Sequence, residues 1–289
     1  MSDTPEQLIA EAEKCPDYDS AIDLLKKAAN KYFLLKSYKN ASDVHLKIAH
    51  YHQENRSLFH SGKSLEQAGN CYRLLGKTDE MISVIEKAAD LMFETNSYDT
   101  GVNMLKELAS QVEDKYPAKS AEILEKAATR ILVSFNYLDC ANTLRKAGDV
   151  NVKADKRERA IENFRRSIEI IMQSKPSEDS VKVCHKIALQ MVIIALLRDT
   201  VEASKVISEA TGTCGFNGSE HFPVVNRLIS GLENDDRDEV DEALNSYTFS
   251  HMDPNVMKLV SKIPLPMKTA NLGGGQNHDD DDEEEEDIN

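Results

Sequence analysis

Tryptophan is absent from the 289 residues, glycine occurs 12 times and proline eight. Pro117 is the single proline between residues 17 and 175. A stretch so poor in turn formers is not a β-sandwich, whose many short strands need frequent turn signals. Long apolar runs are missing too. The longest uncharged one, Ile187–Leu197, has 11 residues, against roughly 20 needed to cross a bilayer. The five cysteines (Cys15, Cys71, Cys140, Cys184 and Cys214) are scattered, odd in number and form no CxxC. This fits free thiols in a reducing compartment better than a disulfide framework or a zinc site. The opening MSDTPEQ is acidic and polar, unlike a secretory or mitochondrial targeting segment.

Catalytic patterns are equally scarce. No nucleophile elbow, phosphate loop or HExxH occurs. His50 and His52 are two apart and face opposite sides of a helix. His45 and His52 could align, but no third ligand completes a metal set. GTCGFNG at 212–218 is not GxGxxG and reads as part of an interhelix loop at 212–220. The residues imply no cofactor, no metal and no small-molecule substrate. A net charge of −15 argues against general nucleic-acid binding. Nine of those charges form the run DDDDEEEED at 279–287.

What is present is periodic. A small pair, or a small residue beside an aliphatic, recurs about every 20 residues. The series runs through Ala28-Ala29, Ile48-Ala49, Ala68-Gly69, Ala88-Ala89, Leu108-Ala109, Ala127-Ala128, Ala147-Gly148, Ser167-Ile168 and Ile187-Ala188. In three alternate units a Tyr follows the first small residue by ten positions (Tyr38, Tyr98, Tyr137), and a small residue follows three later (Ala41, Gly101, Cys140). The tyrosines read as packing residues rather than a stacking ladder. Ala21, Leu24, Ala28, Tyr32 and Leu35 share one face at helical spacing, as do Ala121, Leu124, Ala128 and Ile131, and Ala160, Phe164, Ser167 and Ile171. Each unit is thus a helix of about 16 residues plus a turn. Small side chains at mid-helix let neighbours approach closely.

The expected fold class is all-α: a TPR-like α-solenoid of about 40-residue helical hairpins, with a C-terminal helical bundle and an acidic disordered tail. The divisions are a short N-terminal segment at 1–16, the solenoid at 17–198, the bundle at 199–262 and the tail at 263–289. Shorter helices are expected at Phe222–Leu232 and Val240–Tyr247, and a last one from Pro254.

Two charged features are candidate docking elements. The first is basic: Arg145, Lys146, Lys153, Lys156, Arg157, Arg159, Arg165 and Arg166, with four acids interleaved, about +4 in an acidic chain. It reads either as a solvated face or as a patch that docks an acidic partner. The second is the acidic run, closed by the aliphatic Ile288. It either keeps the chain soluble or acts as a tether that finds a basic surface.

Four segments carry a resemblance: PDYDSA at 16–21, HQENRSLFHSGKSLEQAG at 52–69, GFNGSE at 215–220 and SHMDPNVMKL at 250–259. Over roughly residues 16–266 the chain resembles the soluble NSF attachment proteins, gamma type. The resemblance implies a non-enzymatic adaptor in vesicle-mediated transport and membrane fusion. Such proteins lie against the SNARE four-helix bundle of syntaxin-type proteins and recruit the hexameric ATPase NSF to disassemble it. It implies residence in the cytoplasm, peripheral on the cytosolic face of membranes. The basic cluster Arg145–Arg166 would meet the acidic SNARE surface, with Lys146 the best single candidate. Asp282, Glu283, Glu284, Glu285, Glu286, Asp287 and Ile288 would contact the ATPase, as the acidic, aliphatic-tipped end does in alpha-type relatives. The alternative reading is a general TPR-like scaffold that binds peptide tails of an unrelated partner. The 40-residue period, longer than the 34 of that family, argues against it. An enzyme on a helical scaffold would need a pocket of convergent polar groups, and the sequence offers none.

Relatives carry an apolar, aromatic-bearing loop just ahead of the PDYDSA equivalent, whereas here LIAEAEKCPDYDSA runs straight into the motif. Membrane contact is therefore expected to be weak or indirect. The purified chain mixed with liposomes should stay unbound in a flotation gradient. Robust flotation without SNAREs would contradict this.

Overall fold

The computed structural model describes residues 3–250, 252 and 254–267. These form fifteen α-helices and no strand among the described residues. The N-terminal run is α1 (Pro5–Ala12), α2 (Tyr18–Leu34), α3 (Tyr38–Glu54), α4 (Leu58–Leu74) and α5 (Thr78–Glu94). It continues with α6 (Tyr98–Val112), α7 (Pro117–Val133), α8 (Tyr137–Lys153), α9 (Arg157–Gln173) and α10 (Glu178–Leu196). Beyond these lie α11 (Thr200–Cys214), α12 (Phe222–Glu233), α13 (Arg237–Leu244), α14 (Tyr247–Ser250) and α15 (Pro254–Val260). Consecutive helices pack as antiparallel hairpins, giving an α-solenoid.

The 20-residue period has a simple origin. Most helices from α2 to α9 have 17 residues, about 26 Å, and most joints between them have three. Each short joint holds one left-handed residue: Lys36, Arg56, Gly76, Asn96, Phe135 and Asp155, with φ between 55° and 68°. The amide after it reaches back across the turn. Ser37 donates to the Tyr32 carbonyl at 2.9 Å, Ser57 to His52 at 2.7 Å, Lys77 to Tyr72 at 3.0 Å, Ser97 to Met92 at 2.8 Å and Lys156 to Asn151 at 2.8 Å. This six-to-one bond stops one helix and aims the chain straight into the next. The 19-residue step from Leu108-Ala109 to Ala127-Ala128 arises where α6 has 15 residues and the joint before α7 has four. Pro117 opens α7 there, at a position where a missing amide costs nothing.

The recurring small pairs are buried in mid-helix throughout. Helices approach closely there: a Cβ on Gly148 would lie 2.4 Å from the ring of Phe164 on α9. Small residues at the fourth position of a helix touch the same line. Ser61 donates to the Ala49 carbonyl at 2.8 Å and Ser120 to Ala109 at 2.8 Å, while the Cys140 thiol reaches Ala128 at 3.2 Å. Tyr38, Tyr98 and Tyr137 begin their helices and pack on an aromatic just upstream, on Phe33 at 5.4 Å, Phe93 at 6.1 Å and Phe135 at 6.4 Å. They pin their own hairpins and form no ladder.

Three local expectations need correction. Leu35 is 70% exposed, because α2 stops one residue before it and Leu25 and Ala29 fill the core instead. Gly212, Thr213 and Cys214 are not loop. Helix α11 runs through them until Gly215, whose φ of 69° ends it, and a 3-10 turn follows at Phe216–Gly218. The helix expected at Val240–Tyr247 starts at Arg237, where Asp236 accepts from the amides of Asp238 and Glu239 at 3.0 Å, and it ends at Leu244. The acidic run and Ile288 lie outside the described residues.

The left-handed joints should be readable in stability. Gly76→Ala meets no atom within 4 Å, so only backbone strain opposes it. It should destabilise by about 1 kcal/mol, and Lys36→Gly should stabilise by a similar or smaller amount. Urea midpoints at constant slope check both.

Candidate functional site

Alternation of the hairpins places α6, α8 and α10 in one layer and α5, α7, α9 and α11 in the other. The basic cluster therefore divides. Arg145, Lys146 and Lys153 lie on α8, whereas Arg157, Arg159, Arg165 and Arg166 lie on α9 in the opposite layer. Lys156 caps the start of α9 in the joint between them.

The α9 layer is laced by ion pairs between successive helices. Lys119 of α7 reaches Glu86 of α5 at 3.5 Å, and Lys126 reaches Asp90 at 3.0 Å. Arg159 of α9 bridges Glu122 at 3.2 Å and Glu125 at 2.7 Å on α7. Arg165 pairs with Glu162 and with Glu209 of α11. Arg157 holds Asp155 at 3.0 Å beside its own joint. Glu125 is the node of this network, because it also accepts from Asn151 of α8 at 3.2 Å and Asn163 of α9 at 2.8 Å. Both asparagines are buried. The guanidinium groups of Arg159 and Arg165 thus serve the stacking of the array.

The α8 layer carries ion pairs between successive helices too. Two grooves flank α8, each lined by cations from successive hairpins. The groove between α6 and α8 has a volume of about 270 Å³, with Lys106 and Lys146 on its walls and Leu124 among its lining residues. Lys106 pairs with Asp139 at 2.6 Å, and Lys146 with Glu113 at 2.9 Å while its side chain stays 53% exposed. Lys153 pairs with Asp114 at 2.7 Å near the end of α8. The groove between α8 and α10 is larger, about 730 Å³, and includes Arg145 and Lys186. Arg145, Lys156 and Arg166 form no ion pair among the described residues. Lys106, Lys146 and Lys186 are 40 residues apart in sequence. Lys106 and Lys186 escaped the reading of the sequence as local windows, although the hairpin period relates them to Lys146.

Nothing here is arranged for covalent chemistry. The described residues hold no cluster of metal-ligating side chains. His52 is buried and faces His60 at 5.4 Å rather than His45, and burial lowers its pKa. Burial raises the thiol of Cys184 to about 12 and that of Cys214 to about 11, far from a reactive thiolate. The described residues contain no helix long and apolar enough to cross a membrane.

Comparison with known proteins points to one family. The family model for soluble NSF attachment protein matches residues 7–267. A gamma-soluble NSF attachment protein of Arabidopsis thaliana is 22% identical, with 93% of this chain and 95% of that protein covered. One from Dictyostelium discoideum is 21% identical over 88% of this chain and 78% of that protein. An alpha-soluble NSF attachment protein of Vitis vinifera is 27% identical over 53% of this chain and 50% of its own length. The chain belongs to the soluble NSF attachment protein family.

The Glu125 node should weigh more in stability than a local surface pair. Glu125→Ala strips two buried asparagines of their acceptor and should destabilise by roughly 3 kcal/mol. Arg157→Ala breaks a local surface pair and should cost under about 1 kcal/mol. Denaturant unfolding of both variants tests the ordering. Equal costs would deny Glu125 its role.

Proposed function

We propose that this member of the family is a non-enzymatic adaptor that binds assembled SNARE bundles and recruits the ATPase NSF for their disassembly. The family match along residues 7–267 carries the reading. The fold supports it, since stacked hairpins offer a long surface on which a four-helix bundle can lie. The docking face is the α8 layer. Lys106, Lys146 and Lys186 present cations at one hairpin repeat after another, and Arg145 adds a charge free of ion pairs among the described residues. A rod-shaped acidic partner would meet a matching row. Lys153 flanks this face, and Lys156 lies at its edge in the joint. The α9 residues Arg157, Arg159 and Arg165 are engaged within the array and Arg166 lies on the same opposite layer, so the part of all four in docking is secondary. ATPase recruitment falls to Asp282–Ile288 together with the helices from α11 onward.

Charge reversal at exposed positions tests the face. Arg145→Glu with Lys146→Glu should weaken binding to an immobilised SNARE bundle roughly tenfold and flatten its salt dependence. Arg157→Glu on the opposite layer should change it less than about twofold. An unchanged salt slope in the double variant, or an equal loss in Arg157→Glu, would place docking elsewhere.

A further inference from the structure

The groove between α8 and α10 is closed at one end by Glu220-His221 and by Met252. Arg145 and Lys186 line it, and the partly exposed Val183 contributes apolar surface. His221 is only 8% exposed, yet its Nδ1 has no hydrogen-bond partner among the described residues. A buried ring nitrogen without a partner calls for one. Glu220, the one carboxylate among the described lining residues, lies 3.9 Å from the other ring nitrogen, with its side chain 82% exposed. The groove therefore presents two cations beside apolar side chains, and suits a carboxylate-rich segment with an aliphatic residue next to its acids.

The chain carries such a segment. Residues 279–287 are nine consecutive acids, and Ile288 follows them directly. Its tether is long enough. Arg237, at the start of α13, donates to the Pro266 carbonyl at 3.1 Å. Helix α12, 12 residues or about 18 Å, separates that end of the α12–α13 hairpin from His221. Residues 267–278 can span up to about 40 Å, roughly twice the distance required. Tethering holds such a segment near its site at about millimolar effective concentration.

We propose that Asp279–Ile288 docks in cis in the α8–α10 groove, with carboxylates on Arg145 and Lys186 and Ile288 against Val183 and Met252. This goes beyond the adaptor reading and does not depend on it.

A fluorescent peptide of residues 277–289 tests the proposal in trans. The chain truncated after Gln276 should bind it at physiological salt. Arg145→Glu with Lys186→Glu in that truncation should weaken binding at least about tenfold. Both positions are exposed, so the fold should survive, which circular dichroism checks. The full chain should bind the free peptide at least about tenfold more weakly than the truncation, because its own segment competes. Hydrogen exchange covers the case of a poorly behaved truncation: in the full chain, amides 247–250 should exchange more slowly than in the full-length double variant. Equal peptide binding by full and truncated chains, binding indifferent to the double reversal, or identical exchange would each overturn the proposal.

Discussion

The three-residue joint with one left-handed residue is the constraint from which the rest follows. It fixes the helix-to-helix step at 20 residues and folds each helix back on the last. Because the joint is so short, consecutive helices must pack side by side. The small pairs at mid-helix make that packing close, and the buried Ser and Cys contacts to neighbouring carbonyls hold its register. Only one of the six short joints between α2 and α9 uses glycine, at Gly76. The others accept left-handed strain at Lys36, Arg56, Asn96, Phe135 and Asp155, offset at all but Phe135 by the six-to-one bond and the packing it enforces.

Alternation of layers then decides what each charge can do. Residues 20 apart fall on opposite layers, and residues 40 apart fall on the same one. The α9 layer spends its cations internally, with Lys119, Lys126, Arg159 and Arg165 each bonded to the preceding or following hairpin. Such pairs are worth little singly near the surface. The exception is Glu125, where an ionised acceptor satisfies two buried amides. The α8 layer is cross-linked in the same way through Lys106, Lys146 and Lys153, while Arg145 and Lys186, which form no ion pair with an acid of a neighbouring hairpin among the described residues, line a groove beside it.

Much of this was legible in the residues. The pairs are mid-helix, buried and regularly spaced, because at least one small residue in each lets neighbouring helices approach closely. The Tyr-x-x-small pattern marked helix starts, since a small fourth residue meets the preceding helix. Leu35 misled because helical periodicity does not say where a helix stops. That depended on the left-handed Lys36, and lysine is no sequence signal for such a turn. Gly212 misled for the opposite reason, since a glycine can sit in a helix end while Gly215 stops it. The basic cluster was found as a window along the chain, but the window crosses a joint. Lys106 and Lys186 belong with Lys146 by the 40-residue period, whereas Arg159 and Arg165 do not.

The adaptor reading is tested most directly by reconstitution. Pre-assembled SNARE bundles carrying a donor–acceptor dye pair are mixed with the ATPase, ATP and magnesium, with and without this chain. The account predicts that loss of energy transfer requires both ATP and the chain, and saturates as the chain fills the bundles. Disassembly at the same rate without the chain, or none with it under conditions where an alpha-type adaptor supports the reaction, would contradict it.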